Sequence, residues 1–177
     1  VPDGAPNESS KKVQKARELG IEIVNESWCR SRFTATPVAQ APRMPVGPSV
    51  MLAKNYKTQN VHEWWVSEKL DGVRAIWDGQ QFWSRSGNRI HAPAEFCAEF
   101  PKDIVLDGEL FGGRGNFSRT SGLARRLDAE YEAWQGLEYH VFDAPFVEGP
   151  FEKRQQILST IIKGQRHLYL CEQTRLD

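Results

Sequence analysis

Apolar positions change their period along the chain, and each change marks an element. In "ESSKKVQKARELG", Val13, Ala16 and Leu19 recur at the spacing of one helix face. Ser9 or Ser10 can cap the start of that helix, and Gly20 can take the left-handed position past its end. "IEIV" follows as a strand, and Asn25 can cap a second helix through "ESWCRSRF". So short an αβα run buries too little surface to fold alone. The period then vanishes in "ATPVAQAPRMPVGPS", where Pro37, Pro42, Pro45 and Pro48 predict an extended linker.

From Val50 onward, short alternating runs predict strands. "EWWV" and "AIW" read as buried β-structure on either side of "SEKLDGVR". Asp78-Gly79 is a good hairpin turn between "VRAIW" and "FWSRSG". The pattern predicts strands around Trp65–Lys69, Arg74–Trp77, Phe82–Arg85, Val105–Leu110 and Tyr139–Phe142, and a last strand in "HLYLCEQT". Helices are expected in "APAEFCAEF", in "NFSRTSGLARR" and in "FEKRQQILSTIIKG", the last ending at Gly164. The class is α+β: twisted, mostly antiparallel sheets with helices on their outer faces.

Composition narrows the function classes. Hydrophobic residues make up 40% and charged residues 26% of the 177, as in a soluble globular protein. Formal net charge is zero, so nucleic-acid binding requires a local basic face. No apolar run reaches the roughly 20 residues that span a bilayer, and no signal peptide is expected from the opening residues. Cys29, Cys97 and Cys171 lack zinc spacing and read as reduced thiols of an intracellular protein. The four histidines form no metal-binding pattern; a magnesium ion carried by phosphates would leave no such mark.

Four charged clusters fall at strand ends: Glu68, Lys69, Asp71 and Arg74; Ser84 and Arg85; Asp107 and Glu109; Phe142 and Asp143. Strand ends with charge usually mean solvent, and a lysine there is usually a snorkelling surface residue. Four such ends in one small domain argue for a shared cleft faced by Lys69, Arg85, Glu109 and Phe142. A lysine attacks only as the free amine, which near neutral pH requires cationic neighbours or desolvation. Arg74, Arg85 and a magnesium ion would supply that charge and stabilise a phosphate under attack. Glu109 suits ribose hydroxyls, and Phe142 offers a face on which a base can stack.

In order and spacing, "EKLDGVR", "SRSGN", "LDGELF" and "YHVFDAPF" resemble motifs I, Ia, III and IIIa of ATP-dependent DNA ligases. The wider stretch from residue 50 to about 170 is similar to the compact, minimal members of that family. The resemblance implies a covalent nucleotidyltransferase fold, ATP-grasp-like, that uses ATP with Mg2+ or Mn2+ to seal nicked duplex DNA. Lys69 would take AMP from ATP as a phosphoramidate. Asp71 and Arg74 would lie against the ribose and the nick 5′-phosphate, Arg85 on that phosphate, Glu109 on the ribose hydroxyl and Phe142 on the adenine. Arg114, Arg119, Arg125 and Arg126 read either as a solvated helix face or as contacts to DNA phosphates.

"SSKKVQKARELGIEIVNESW" resembles the C-terminal third of a BRCT domain, against the plainer reading of a generic αβα unit. BRCT modules bind partner proteins, phosphopeptides or DNA ends, which leaves room for a protein partner; the phosphate-binding end of that fold is absent. The expected organisation is a BRCT-like fragment at 1–34, a linker at 35–49, and an adenylylation domain at 50–177, truncated before motifs IV and V and the OB-fold. With Val1 in place of Met, the chain reads as a piece of a longer enzyme, inactive or nearly so by itself. Ser67 stands where larger ligases often carry an acidic residue. An RNA ligase, an mRNA capping guanylyltransferase and a non-catalytic truncated scaffold remain the alternatives. Action on DNA would place the protein in the nucleus or another DNA-containing compartment.

Overall fold

The computed structural model describes residues 10–21, 23, 50–52 and 56–177. The chain divides into two units, Val1–Gln40 and Ala41–Asp177. In the first, α1 spans Lys11–Glu18. Gly20 adopts φ +65°, and the amides of Gly20 and Ile21 bond the carbonyls of Arg17 and Ala16. These paired bonds satisfy two terminal carbonyls, as expected for a glycine just past a helix. Ser10 is at the N-cap position but makes no side-chain cap bond. The expected strand at 21–24, the second helix and the proline-rich linker fall largely or wholly outside the described residues.

The second unit is built on a six-stranded sheet. Its strands are β2 Val73–Trp77, β3 Phe82–Ser84, β4 Arg89–Ile90, β5 Leu106–Phe111, β6 Glu138–Asp143 and β7 Leu168–Leu170. Their spatial order is β4-β3-β2-β5-β6-β7, antiparallel throughout except for the parallel β6–β7 pair. That parallel step needs a crossover, and α4 (Phe151–Ile161) supplies it. Two other helices, α2 (Phe117–Arg125) and the short α3 (Tyr131–Trp134), precede β6. A separate two-stranded sheet pairs β1 (Trp65–Val66) with β8 (Thr174–Arg175). The mixed α/β class with mostly antiparallel sheets is as the sequence predicts.

Local chemistry explains the β2–β3 hairpin. Asp78 Oδ1 accepts the amides of Gln80 and Gln81 at 2.8 Å each, and Gly79 takes φ +97°. Alternation then sends Ala75, Trp77, Phe82, Leu106, Leu110, Tyr139 and Val141 into one core. Aromatic rings dominate it: Phe82 meets Tyr139 at 4.8 Å between centroids, and Phe96 meets Trp134 at 5.0 Å, both edge-on. Each such pair contributes about 0.5–1.5 kcal/mol beyond its buried area.

Several expectations are corrected. The strand expected at Trp65–Lys69 ends at Val66, and Ser67–Asp71 is irregular backbone. "EWWV" is not buried: Trp64 is 54% and Val66 45% exposed, and among the described residues this edge pairs only with the narrow β8. "APAEFCAEF" forms successive turns closed by Phe96 N–H to Pro93 O and Cys97 N–H to Ala94 O, anchored by buried Phe96 and Phe100 rather than wound as a helix. "HLYLCEQT" breaks after Leu170, and its end pairs in the other sheet.

Gly108 sits where the Tyr139 ring crosses the sheet; a Cβ there would meet the His140 carbonyl oxygen at 2.5 Å and the Tyr139 ring at 2.7 Å. The Tyr139 hydroxyl, fully buried, points at the carbonyls of Ala75 (2.9 Å) and Leu106 (3.0 Å). Replacing Tyr139 by Phe should cost about 1–3 kcal/mol, since buried carbonyls lose their donor. Gly108→Ala should cost about 1–3 kcal/mol through overpacking. Because Phe keeps the ring atoms that a Cβ at 108 would meet, the double variant should lose about the sum of the two costs. Urea unfolding of the three variants checks this; a Tyr139→Phe midpoint equal to that of the unsubstituted chain would mean the hydroxyl carries no stability.

Candidate active site

The irregular segment Ser67–Asp71 is held where it enters β2. Gly72 lies flat against β5: its N–H donates to Glu109 Oε1 at 3.2 Å, and a Cβ would run into the Leu110 carbonyl and the Glu109 side chain. Only glycine lets the backbone approach this closely. Arg74, one strand step further, stands opposite Glu109 across the β2–β5 ladder, and Glu109 stands opposite His140 on β6. Residues facing each other on neighbouring strands share a sheet face, so these three form one row.

Asp107, two residues before Glu109 on β5, has no solvent exposure. Its carboxylate takes two bonds from Arg74, Nε at 3.0 Å and Nη2 at 2.5 Å, in the fork geometry that suits a buried pair. Burial pushes the Asp107 carboxyl up from its ordinary range, against the pull of the Arg74 guanidinium. The guanidinium carbon lies 5.2 Å from the Phe142 ring centroid, a cation–π distance. Phe142 falls at the β5–β6 register shift, and Gln155 Nε2 donates to its carbonyl at 2.6 Å. A second buried carboxylate, Asp143, is held by Arg154 at 2.6 and 3.2 Å.

Glu109 is half-buried, and burial raises its pKa despite the Gly72 N–H and the positive charges of Lys69 and Arg74. Lys69 and Asp71 are themselves exposed.

Two cavities flank this segment. The first, about 570 Å³, is lined by Val66, Ser67, Glu68, Leu70, His140 and Cys171 among others. The second, about 500 Å³, lies between the β3–β4 turn and α2, with Gly72, Ser86, Asn88, Arg89, Phe117 and Arg125 in its wall. The turn is stitched by its own polar groups: Asn88 N–H donates to Ser84 Oγ at 3.1 Å and Asn88 Nδ2 to Ser86 Oγ at 3.0 Å. That network leaves Arg85 at the exposed tip.

The four downstream arginines do not act as one face. Arg125 lines the second cavity. Arg114 bonds Glu68 Oε1 at 2.6 Å, Arg119 donates to the Ala133 carbonyl at 3.1 Å, and Arg126 pairs with Asp128 at 3.2 Å. Sequence reasoning missed His140 and Arg89. His140 stacks on Tyr169 (5.3 Å) and bonds Glu138 Oε2 at 2.7 Å. Its signal was alternation: two residues before Phe142 on one strand means the same face. Among the described residues, no three His, Cys, Asp or Glu side chains cluster as a metal cage.

Comparison with known proteins gives a consistent direction. A curated DNA ligase of Haemophilus influenzae is 39% identical over 105 residues, which is 59% of this chain and 38% of the relative. This chain is similar to DNA ligases. A solved structure from work on Lig E DNA ligases, described as binding DNA with a minimal scaffold, matches with TM-score 0.65 at 34% identity, over 75% of this chain and 53% of that one. The Chlorella virus DNA ligase-adenylate shares the fold, with TM-score 0.53 at 14% identity, over 69% of this chain and 49% of that one. No protein-family model matches. The chain thus spans about half the length of these ligase structures, and less of the curated relative.

The raised pKa of Glu109 makes a stability prediction. The native carboxyl binds its proton more tightly than the unfolded chain does, so its contribution is most favourable below 4.5 and is lost as pH rises through the native value. Glu109→Gln keeps an oxygen for the Gly72 N–H and removes the buried charge. Thermal unfolding should find the variant more stable than the unsubstituted chain at pH 7, with the gap closing towards pH 4. A gap independent of pH would show that the carboxylate is not strained by burial.

Proposed function

We propose that the complete protein is an ATP-dependent DNA ligase that seals nicks through a lysyl-AMP intermediate, in DNA repair, replication or recombination. One observation carries the reading. The segment around Lys69 borders both cavities, Ser67, Glu68 and Leu70 on the first and Gly72 and Val73 on the second. A lysine that accepts a group from one ligand and hands it to another needs that position. The likeness to DNA ligases supports the same assignment.

In this scheme the nucleotide lies beside Lys69 over the row of Arg74, Glu109 and His140, and His140 carries that row to the wall of the first cavity. Lys69 Nζ attacks the α-phosphorus of ATP; a nitrogen–phosphorus bond forms, pyrophosphate leaves and the amine proton passes to solvent. Asp71 and Glu109 meet the ribose, and Phe142 supports the base. Arg74 is committed through Nε and Nη2 to Asp107, so it serves by bracing Phe142 and by placing positive charge beside Glu109. A Mg2+ or Mn2+ ion would be held chiefly by the phosphates, where it would neutralise charge on the leaving group. AMP then passes to the 5′-phosphate of the nick, and the 3′-hydroxyl displaces it.

Nicked duplex DNA lies along the second cavity. Arg85, Arg89 and Arg125 contact its phosphates, with the hydroxyls of Ser84 and Ser86, without reading bases. Arg119 and Arg126, engaged with Ala133 and Asp128, add only their charge. The scheme keeps a BRCT-like fragment at 1–34, a linker at 35–49 and the nucleotidyltransferase part at 50–177, with a protein partner on the BRCT module. It also places the protein in a DNA-containing compartment; among the described residues no helix is long and apolar enough to cross a membrane.

Complete protein incubated with labelled ATP and magnesium should become covalently labelled through an acid-labile, alkali-stable bond. Lys69→Arg, which remains protonated, should abolish the label; equal labelling would place the nucleophile elsewhere. Arg85→Ala should spare self-labelling yet reduce nick sealing about ten- to a hundredfold, the worth of one charge-assisted hydrogen bond. If both fall together, Arg85 serves ATP. Arg125→Ala should flatten the salt dependence of DNA binding by roughly one phosphate contact. An unchanged slope would return it to the solvated surface.

A further inference from the structure

Between the last β1 residue, Val66, and the Gly72–Glu109 bond, the Lys69 segment makes no ladder pairs. A nucleophile on irregular backbone needs some other restraint to keep a reactive geometry. Glu68, its immediate neighbour, is bonded to Arg114 at 2.6 Å, with side-chain exposures of 48% and 82%.

Arg114 is presented by a loop whose shape is specified. Gly113 and Gly115 take φ +89° and +76°, conformations other residues rarely adopt. At Gly112 a Cβ would meet Thr120 Oγ1 at 2.5 Å and Leu137 Cδ2 at 3.0 Å. Asn116 closes the loop, its Nδ2 donating to the Gly112 carbonyl at 2.8 Å. The loop leads directly into α2, whose Phe117 and Arg125 wall the second cavity, while Glu68 walls the first.

We infer that Glu68 and Arg114 form an ionic clamp that positions Lys69 for attack on the nucleotide. The inference rests on the reading of Lys69 as nucleophile. Neither residue touches the reacting atoms; both act through the placement of the lysine backbone. The pair is exposed, so its contribution is small and screened by salt.

The experiment measures the single-turnover rate of Lys69 self-labelling in complete protein, across ATP concentrations and at low and high salt. Glu68→Gln and Arg114→Gln should each slow labelling about two- to fivefold, with the half-saturating ATP concentration unchanged. The double variant should be no slower than either single. The charge swap, Glu68→Arg with Arg114→Glu, should recover most of the rate lost in Glu68→Arg alone. Near 1 M salt the unsubstituted protein should slow to the level of the singles. Additive singles, a swap no faster than Glu68→Arg, or a rate difference that survives high salt would each overturn the clamp. Wild-type labelling with no effect of either substitution overturns the clamp while the ligase reading stands. Absence of label on the wild-type protein overturns both.

Discussion

The close approach of Gly72 to β5 is the constraint on which the site depends. Without a side chain, the Gly72 backbone reaches Glu109, and this fixes where the lysine segment leaves the β1–β8 sheet and joins the central one. Any Cβ would push that backbone away from the Leu110 carbonyl. Arg74 follows at once and locks the same two strands through Asp107. The two ties lie two residues apart where the chain enters β2, so they set direction as well as position. Lys69 is placed by the backbone on either side of it, with Gly72 as the nearest fixed point.

Charge is concentrated where packing would favour apolar groups. Asp107 and Asp143 are buried and each is forked by an arginine, Arg74 and Arg154. A buried pair of this kind contributes little net stability, but removing one partner strands the other charge at several kcal/mol or more, roughly 3–5. The cost is compensated on the opposite face of the sheet, where Phe82, Phe100, Trp77 and Tyr139 pack ring against ring. One face of the sheet supplies the stability that the other spends on fixed charges.

The two cavities are joined by backbone rather than by a shared void. The polypeptide from Ser67 to Val73 passes from one wall to the next, so a ligand in either is felt by the same short segment. The glycine-bearing loop before α2 contacts that segment from outside through Arg114.

What the sequence determined by itself was local. The left-handed turn after α1, the Asp78 turn, the alternation in β2, β5 and β6, and the glycine-flanked motif at Lys69 follow from φ preferences, side-chain-to-backbone bonds and period-two burial. These act within a few residues and need no partner from elsewhere in the chain. The tertiary structure decided the rest. It paired Trp65 with Arg175 across the length of the unit, and it left 94–100 as turns around Phe96 and Phe100. It also divided four arginines that look equivalent in sequence among Glu68, the Ala133 carbonyl, the second cavity and Asp128. A long charged side chain samples many directions at similar energy, and only the acceptor brought within reach by folding selects one.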